Sequence, residues 1–64
     1  MEYTNSQIRD LIEEYVHNLR DRQILKARLI DGMTFERLGE MFSMSDRQIK
    51  RIVYKLQDQL FKHI

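Results

Sequence analysis

Four basic side chains cluster in the second half of the chain. The segment DRQIKRIVYK holds four basic residues and one acid, a balance of +3 within a chain of net charge +1: Arg47, Lys50, Arg51 and Lys55 against Asp46. Guanidinium and ammonium groups bind phosphate oxygens, and arginine also recognises the edge of guanine. The segment is therefore a candidate surface for nucleic acid, and a solvated helix face is the alternative interpretation.

Other residues offer little reactive chemistry. The chain has no cysteine, and His17 and His63 are too far apart to show metal-ligand spacing. Glu13 and Glu14 are adjacent, so on a helix they point in different directions and do not face one substrate. No phosphate-binding glycine loop or nucleophile motif is present. We therefore expect no enzyme activity, no metal and no cofactor.

The length of the chain, 64 residues, limits it to one small core. Without cysteines, that core must be stabilised by helix packing, aided by self-association. No apolar run is long enough to span a membrane, and the polar start MEYTNSQIRD lacks the layout of a signal peptide. We expect a single domain over residues 1–64, a cytoplasmic location and no membrane partner.

The apolar pattern predicts helices throughout. The chain has no proline, and its apolar residues recur at spacings of three and four. The first segment places six of them on one face: Ile8, Leu11, Ile12, Tyr15, Val16 and Leu19. The second segment has four candidate core residues: Ile24, Leu25, Leu29 and Ile30. The predicted helices cover about residues 5–17, 20–30, 35–42 and 46–62, so we expect an all-α, compact four-helix domain.

Three helix starts share one signature. Thr4 with Gln7 and Ser45 with Gln48 show the pattern of a capping box, and Thr34 is the third start. The starts at Thr34 and Ser45 are so close in sequence that a short helix and a tight turn must separate them. The sequence therefore predicts a short third helix followed by a long fourth one.

The two glycines have different roles in this prediction. Gly32 suits the left-handed residue that follows a helix end. Gly39 lies inside the third helix, where glycine costs roughly 1 kcal/mol of helix propensity against alanine. A steep helix crossing after a short turn explains it, because a Cβ there would block the approach. Such a crossing is typical of a helix-turn-helix, and a helical hairpin with a chance glycine is the alternative. Five apolar residues would be buried around the turn: Leu38, Phe42, Met44, Ile49 and Ile52.

The segment TFERLGEMFSMSDRQIKRIVYKLQDQL resembles region 4, the C-terminal DNA-binding region of bacterial sigma factors. Eight residues match the family pattern: Thr34, Glu36, Gly39, Phe42, Ile49, Ile52, Lys55 and Leu60. Upstream, RDRQILKARLIDGMT resembles the preceding helix in that region and in related phage and mobile-element regulators. The resemblance covers about residues 19–62 and implies binding in the major groove of a promoter element. Nothing resembles the sigma region that melts promoter DNA, so we expect a stand-alone regulator.

A recognition helix inserts its first turns most deeply into the groove. The candidates for contact with bases are therefore Asp46, Arg47, Gln48, Lys50 and Arg51. Arg47, Lys50 or Arg51 would read guanine, and Gln48 would pair with adenine. The resemblance favours Lys50 and Arg51. Asp46 would either accept from a cytosine amino group or only stabilise its own helix N-terminus.

Phosphate contacts are expected from two further places. Thr34 begins the third helix, and Arg37 follows it by one turn, so both lie where free backbone N–H groups attract a phosphate. For Thr34, a capping role alone is the alternative. Tyr54 and Lys55 continue the exposed side of the fourth helix.

We expect a sequence-specific regulator of transcription that binds double-stranded DNA. The alternative is a protein-interaction module that docks to RNA polymerase, to a sigma-like partner or, as a homodimer, to a second copy. Two apolar residues near the chain end would form a two-fold contact or pack on the first helix: Phe61 and Ile64. Exposed Lys50 and Arg51 without acidic neighbours would favour DNA, whereas salt bridges to Asp46 and Asp58 would favour a protein partner.

Overall fold

The computed structural model describes residues 3–62. The predictions for His63 and Ile64 concern positions outside the described residues. Within the described part, the chain forms four helices and no strand: α1 (Asn5–Tyr15), α2 (Leu19–Leu29), α3 (Phe35–Phe42) and α4 (Asp46–Phe61). The predicted all-α, four-helix architecture is confirmed. Among residues 3–62, no helix is both long enough and apolar enough to cross a membrane.

The predicted helix caps are present. The Thr4 hydroxyl accepts from the Gln7 amide at 3.1 Å, and the Gln7 side chain accepts from the Thr4 amide at 2.9 Å. Ser45 and Gln48 form the same reciprocal pair at 3.2 and 3.0 Å. The Thr34 hydroxyl accepts from the amide of the third residue of α3 at 3.2 Å. Each cap satisfies a backbone donor that the helix itself leaves free, so these local signals place the starts of α1, α3 and α4.

The junction of α1 and α2 differs from its prediction by one or two residues. Helix α1 ends at Tyr15, before an extended Val16, and α2 begins at Leu19 rather than residue 20. The guanidinium of Arg22 donates to the carbonyls of Val16 and, at 2.6 Å, Glu13, which satisfies the end of α1. Asn18 caps α2 by accepting from the third residue of that helix at 3.1 Å.

An ion pair also joins these two helices. Lys26 Nζ lies 3.0 Å from Glu13 Oε1. The hydrogen bond and the positive charge of Lys26 lower the pKa of Glu13 below its ordinary value. Arg22 and Lys26 thus both connect α2 to the same turn of α1.

Two residues expected in the core are exposed. The side chain of Tyr15 is 40% exposed and that of Leu19 is 72% exposed. Leu19 follows the extended Val16, which changes the direction of every later side chain, so the periodic pattern of α1 does not extend to it. Tyr15 is the last residue of α1 and lies at the edge of the buried face. Val16, in that extended position, is buried as expected.

The core draws on all four helices. Helix α2 packs against the other three. Nine hydrophobic residues are buried among residues 3–62: Ile12, Val16, Ile24, Leu25, Ala27, Leu38, Ile49, Val53 and Leu60. The ring of Phe61 stacks on Tyr3, just before α1, with ring centroids 5.8 Å apart. Of the two alternatives for Phe61, the structure therefore shows packing beside α1.

The turn between α3 and α4 is tight. Ser43 ends α3 in the left-handed conformation, with φ 55° and ψ 45°, and the Met44 amide donates to the Gly39 carbonyl at 2.9 Å. A Cβ built on Gly39 would lie 2.6 Å from the Met44 carbonyl oxygen. The backbone of the turn therefore occupies the space that any side chain at residue 39 would need. Gly32, with φ 70°, is left-handed as predicted.

Candidate nucleic-acid interface

The outer side of α4 is basic. Arg47, Lys50, Arg51 and Lys55 are all exposed, and we call these four residues the basic face of α4. Ile49 and Val53, on the opposite side of the helix, are buried in the core. The apolar spacing therefore fixes which side of α4 faces solvent, and the predicted binding residues lie on that side.

Within the described part of the chain, no acidic side chain forms an ion pair with the basic face of α4. Within residues 3–62, the ion pairs join Arg20 to Asp21, Lys26 to Glu13 and Lys62 to Asp58. The Asp58 carboxylate is 3.6 Å from Lys62, one turn along the same helix. Like charges thus lie side by side along α4 without a carboxylate partner among the described residues, which is the arrangement expected of a surface that meets a polyanion.

Asp46 lies at the N-terminus of α4 and next to α3. Its Oδ1 atom would be 3.3 Å from a Cβ built on Gly39, so the carboxylate lies beside the helix crossing. An acid in the first turn is stabilised by the free amides and positive dipole end of the helix. The place of Asp46 in the first turn fits stabilisation of the helix N-terminus, and contact with a cytosine stays a prediction.

The start of α3 contributes two predicted residues. The Thr34 hydroxyl is engaged with the amide of Arg37, so its capping role is established. Thr34 and Arg37 are both exposed. Contact of either residue with a phosphate stays a prediction.

One aromatic ring joins three helices at the edge of the basic face. Phe35 is the first residue of α3. The centroid of its ring lies 4.2 Å from the Arg28 guanidinium carbon of α2 and 5.7 Å from Lys50 Nζ of α4. Tyr54, also on α4, packs edge-on against the same ring at 5.7 Å. We call these four residues the Phe35 cluster.

Sequence reasoning missed Arg28 and Phe35 as components of this surface. Lys50 and Tyr54 are four residues apart, so their common face on α4 could be predicted. Their contacts with residues of α2 and α3 depend on the tertiary packing, which cannot be predicted from residue spacing within one helix. Arg28 also donates through Nη1 to the Met33 carbonyl at 2.8 Å, so its guanidinium is held at two points.

The predicted base-reading residues lie together, whereas the predicted phosphate contacts come from two helices. Arg47, Gln48, Lys50 and Arg51 all occupy the first two turns of α4 and are exposed. Tyr54 is 57% exposed and Lys55 follows it. Such a surface presents guanidinium, ammonium and amide donors, which match the acceptors of phosphates and of guanine and adenine edges.

Comparisons of the chain with protein-family models, with curated proteins and with solved structures find no match.

Proposed function

We propose that the protein binds double-stranded DNA with α4 in the major groove and regulates transcription in the cytoplasm. The observation that carries the proposal is the basic face of α4, exposed and without an acidic partner within residues 3–62. Its position on the second helix of a tight helix-turn-helix supports the proposal, because that helix is the one that enters the groove in such motifs.

The first two turns of α4 supply the base contacts in this proposal. Arg47, Lys50 or Arg51 reads guanine through O6 and N7. The Gln48 carbonyl oxygen accepts from the Ser45 amide, so this side chain would contact adenine through its amide donor or after leaving the capping box. The phosphate contacts flank them: Tyr54, Lys55, Thr34, Arg37 and Arg28. Arg28 is added because its guanidinium lies against the same ring as Lys50.

One copy offers few base contacts, so its affinity for a single half-site should be weak. Specific regulation then needs a second copy or a partner protein bound beside it on the DNA. The resemblance to sigma region 4 implies RNA polymerase or a sigma-like subunit as that partner.

Fluorescence anisotropy against random and promoter-like duplexes at several salt concentrations tests the proposal. We expect binding with a salt dependence that corresponds to roughly three to five phosphates. The variant Lys50→Ala/Arg51→Ala should bind at least about tenfold more weakly, since a good base contact contributes about 1–3 kcal/mol.

A matched control removes the same charge elsewhere. Arg9→Ala/Arg20→Ala deletes two exposed basic residues of α1 and α2, and its effect on affinity should be small. If the two double variants lose affinity for DNA equally, the loss depends only on net charge, and groove binding by α4 is contradicted. Absence of binding by the parent protein at low salt would contradict the proposed function itself.

The resemblance to sigma region 4 implies a second candidate function, docking to RNA polymerase or a sigma-like partner, and a groove between α2 and α3 offers a surface for it. The groove has a volume of about 390 Å³ and is lined by Ala27 and Phe42 among others, and Met41 at its rim is 63% exposed. Binding of purified RNA polymerase core to immobilised protein tests this candidate. Met41→Glu should abolish capture, whereas Leu19→Glu, at another exposed apolar residue, should leave it unchanged.

A further inference from the structure

The Phe35 ring has two cations close to it. The Arg28 guanidinium carbon is 4.2 Å from the ring centroid, and Lys50 Nζ is 5.7 Å away. Both distances fall within the range in which the negative face of an aromatic ring attracts a cation. Neither cation forms an ion pair with a carboxylate within residues 3–62. The ring therefore attracts both side chains, and Arg28 has a second partner in the Met33 carbonyl.

Contacts on both sides fix the ring in place. Phe35 is half-buried at the start of α3, and Tyr54 packs edge-on against it at 5.7 Å with an interplanar angle of 66°. This is a favourable geometry for two aromatic rings. Because Tyr54 and Lys50 lie one turn apart on α4, the ring contacts the recognition helix at two points. Arg28 is fixed from its other side by the Met33 carbonyl.

We propose that Phe35 is a positioning residue for DNA binding, which orders Arg28 of α2 and Lys50 of α4 at the edge of the recognition helix before DNA arrives. This inference rests on the proposed function. Phe35 itself need not contact DNA, because it acts through the two cations.

Ordering matters because lysine and arginine have long, flexible side chains. A side chain that is free in the unbound protein loses its rotamer freedom when it binds, and one held in place beforehand loses less. The ordering of one such side chain changes affinity by about two- to tenfold. Loss of the ring should release Lys50 and loosen Arg28, which keeps its hydrogen bond to the Met33 carbonyl. DNA binding should therefore weaken by about fivefold.

Phe35→Leu is the variant that tests the inference, since leucine keeps an apolar contact but has no aromatic face. We expect about fivefold weaker binding to duplex DNA, with affinity restored in Phe35→Tyr, which keeps the ring. Phe61→Leu is the matched control: it also removes a half-buried ring, and within residues 3–62 no cation lies over Phe61. Its DNA affinity should stay within about twofold of the parent.

A double-mutant cycle separates positioning from a merely structural role. In a Lys50→Ala background, Phe35→Leu should have a clearly smaller effect on affinity, because one of the two ordered cations is already gone. An equal effect in both backgrounds would contradict the inference.

Nuclear magnetic resonance of the unmodified protein gives a readout that does not depend on how well a variant folds. The ring current of Phe35 should move the ε-methylene protons of Lys50 upfield of those of Lys55. Equal chemical shifts for the ε-methylene protons of the two lysines would overturn the inference. If the parent protein binds DNA and Phe35→Leu binds it equally well, the inference is overturned and the proposed function stands. If the parent protein does not bind DNA, both are overturned.

Discussion

Replacing Gly39 by alanine sets two physical effects of opposite sign against each other. Alanine is the better helix former by about 1 kcal/mol, so propensity alone predicts a more stable protein. The new Cβ, however, would lie 2.6 Å from the carbonyl oxygen of Met44, and the backbone of the turn must move by at least about 0.4 Å to bring that distance to 3.0 Å. The moving group is backbone, so it cannot escape by changing rotamer.

The net result should be destabilisation. Overpacking of a well-packed contact costs about 1–3 kcal/mol, which exceeds the gain in propensity. After the gain in propensity is subtracted, we expect Gly39→Ala to lower the free energy of unfolding by up to about 2 kcal/mol and the Tm by about 4–8 °C for each kcal/mol. The branched side chain of Gly39→Val should cost more than that of Gly39→Ala.

Thermal and urea denaturation followed by circular dichroism measure this difference. Glu40→Ala is a useful reference, because it changes an exposed side chain in the same helix without reaching the turn. If Gly39→Ala melts at or above the temperature of the parent protein, helix propensity dominates and the close crossing of α3 and α4 is wrong.

Three further predictions concern stability. Ser43→Gly should stabilise the protein by up to about 1 kcal/mol in urea denaturation, because Ser43 holds φ 55°; a less stable variant would refute strain at the turn. Ser45→Ala should destabilise it by about 1 kcal/mol through loss of the capping box, and Ser45→Thr should not. The lowered pKa of Glu13 implies that its pairing with Lys26 stabilises the fold above the ordinary carboxyl pKa and that this stabilisation is lost as the pH falls through the lowered value. The stability difference between the parent and Glu13→Gln should therefore shrink on acidification, and a constant difference would contradict the pairing.

The parts of the fold predicted correctly depend on neighbouring residues in the sequence. The capping pairs at Thr4 and Ser45 each lie within one turn, so their chemistry is visible without knowledge of the fold. The role of Gly39 could be predicted because glycine is unfavourable inside an apolar helical stripe unless a second helix approaches its backbone closely.

The parts that sequence reasoning missed depend on contacts between distant segments. The end of α1 is satisfied by the guanidinium of Arg22, which comes from the next helix, so periodicity alone carried α1 too far and placed Leu19 in the core. In the candidate site, the basic face of α4 followed from charge and spacing. The approach of Arg28 and Phe35 to that face follows only from the packing of α2 and α3 against α4.

The central claim is that α4 presents a DNA-binding face. Titration of ¹⁵N-labelled protein with duplex DNA, followed by amide chemical shifts, maps the contact surface directly. We predict the largest changes in residues 46–55 and at the start of α3, near Thr34. Changes confined to α1, or to the groove around Met41, would contradict the claim.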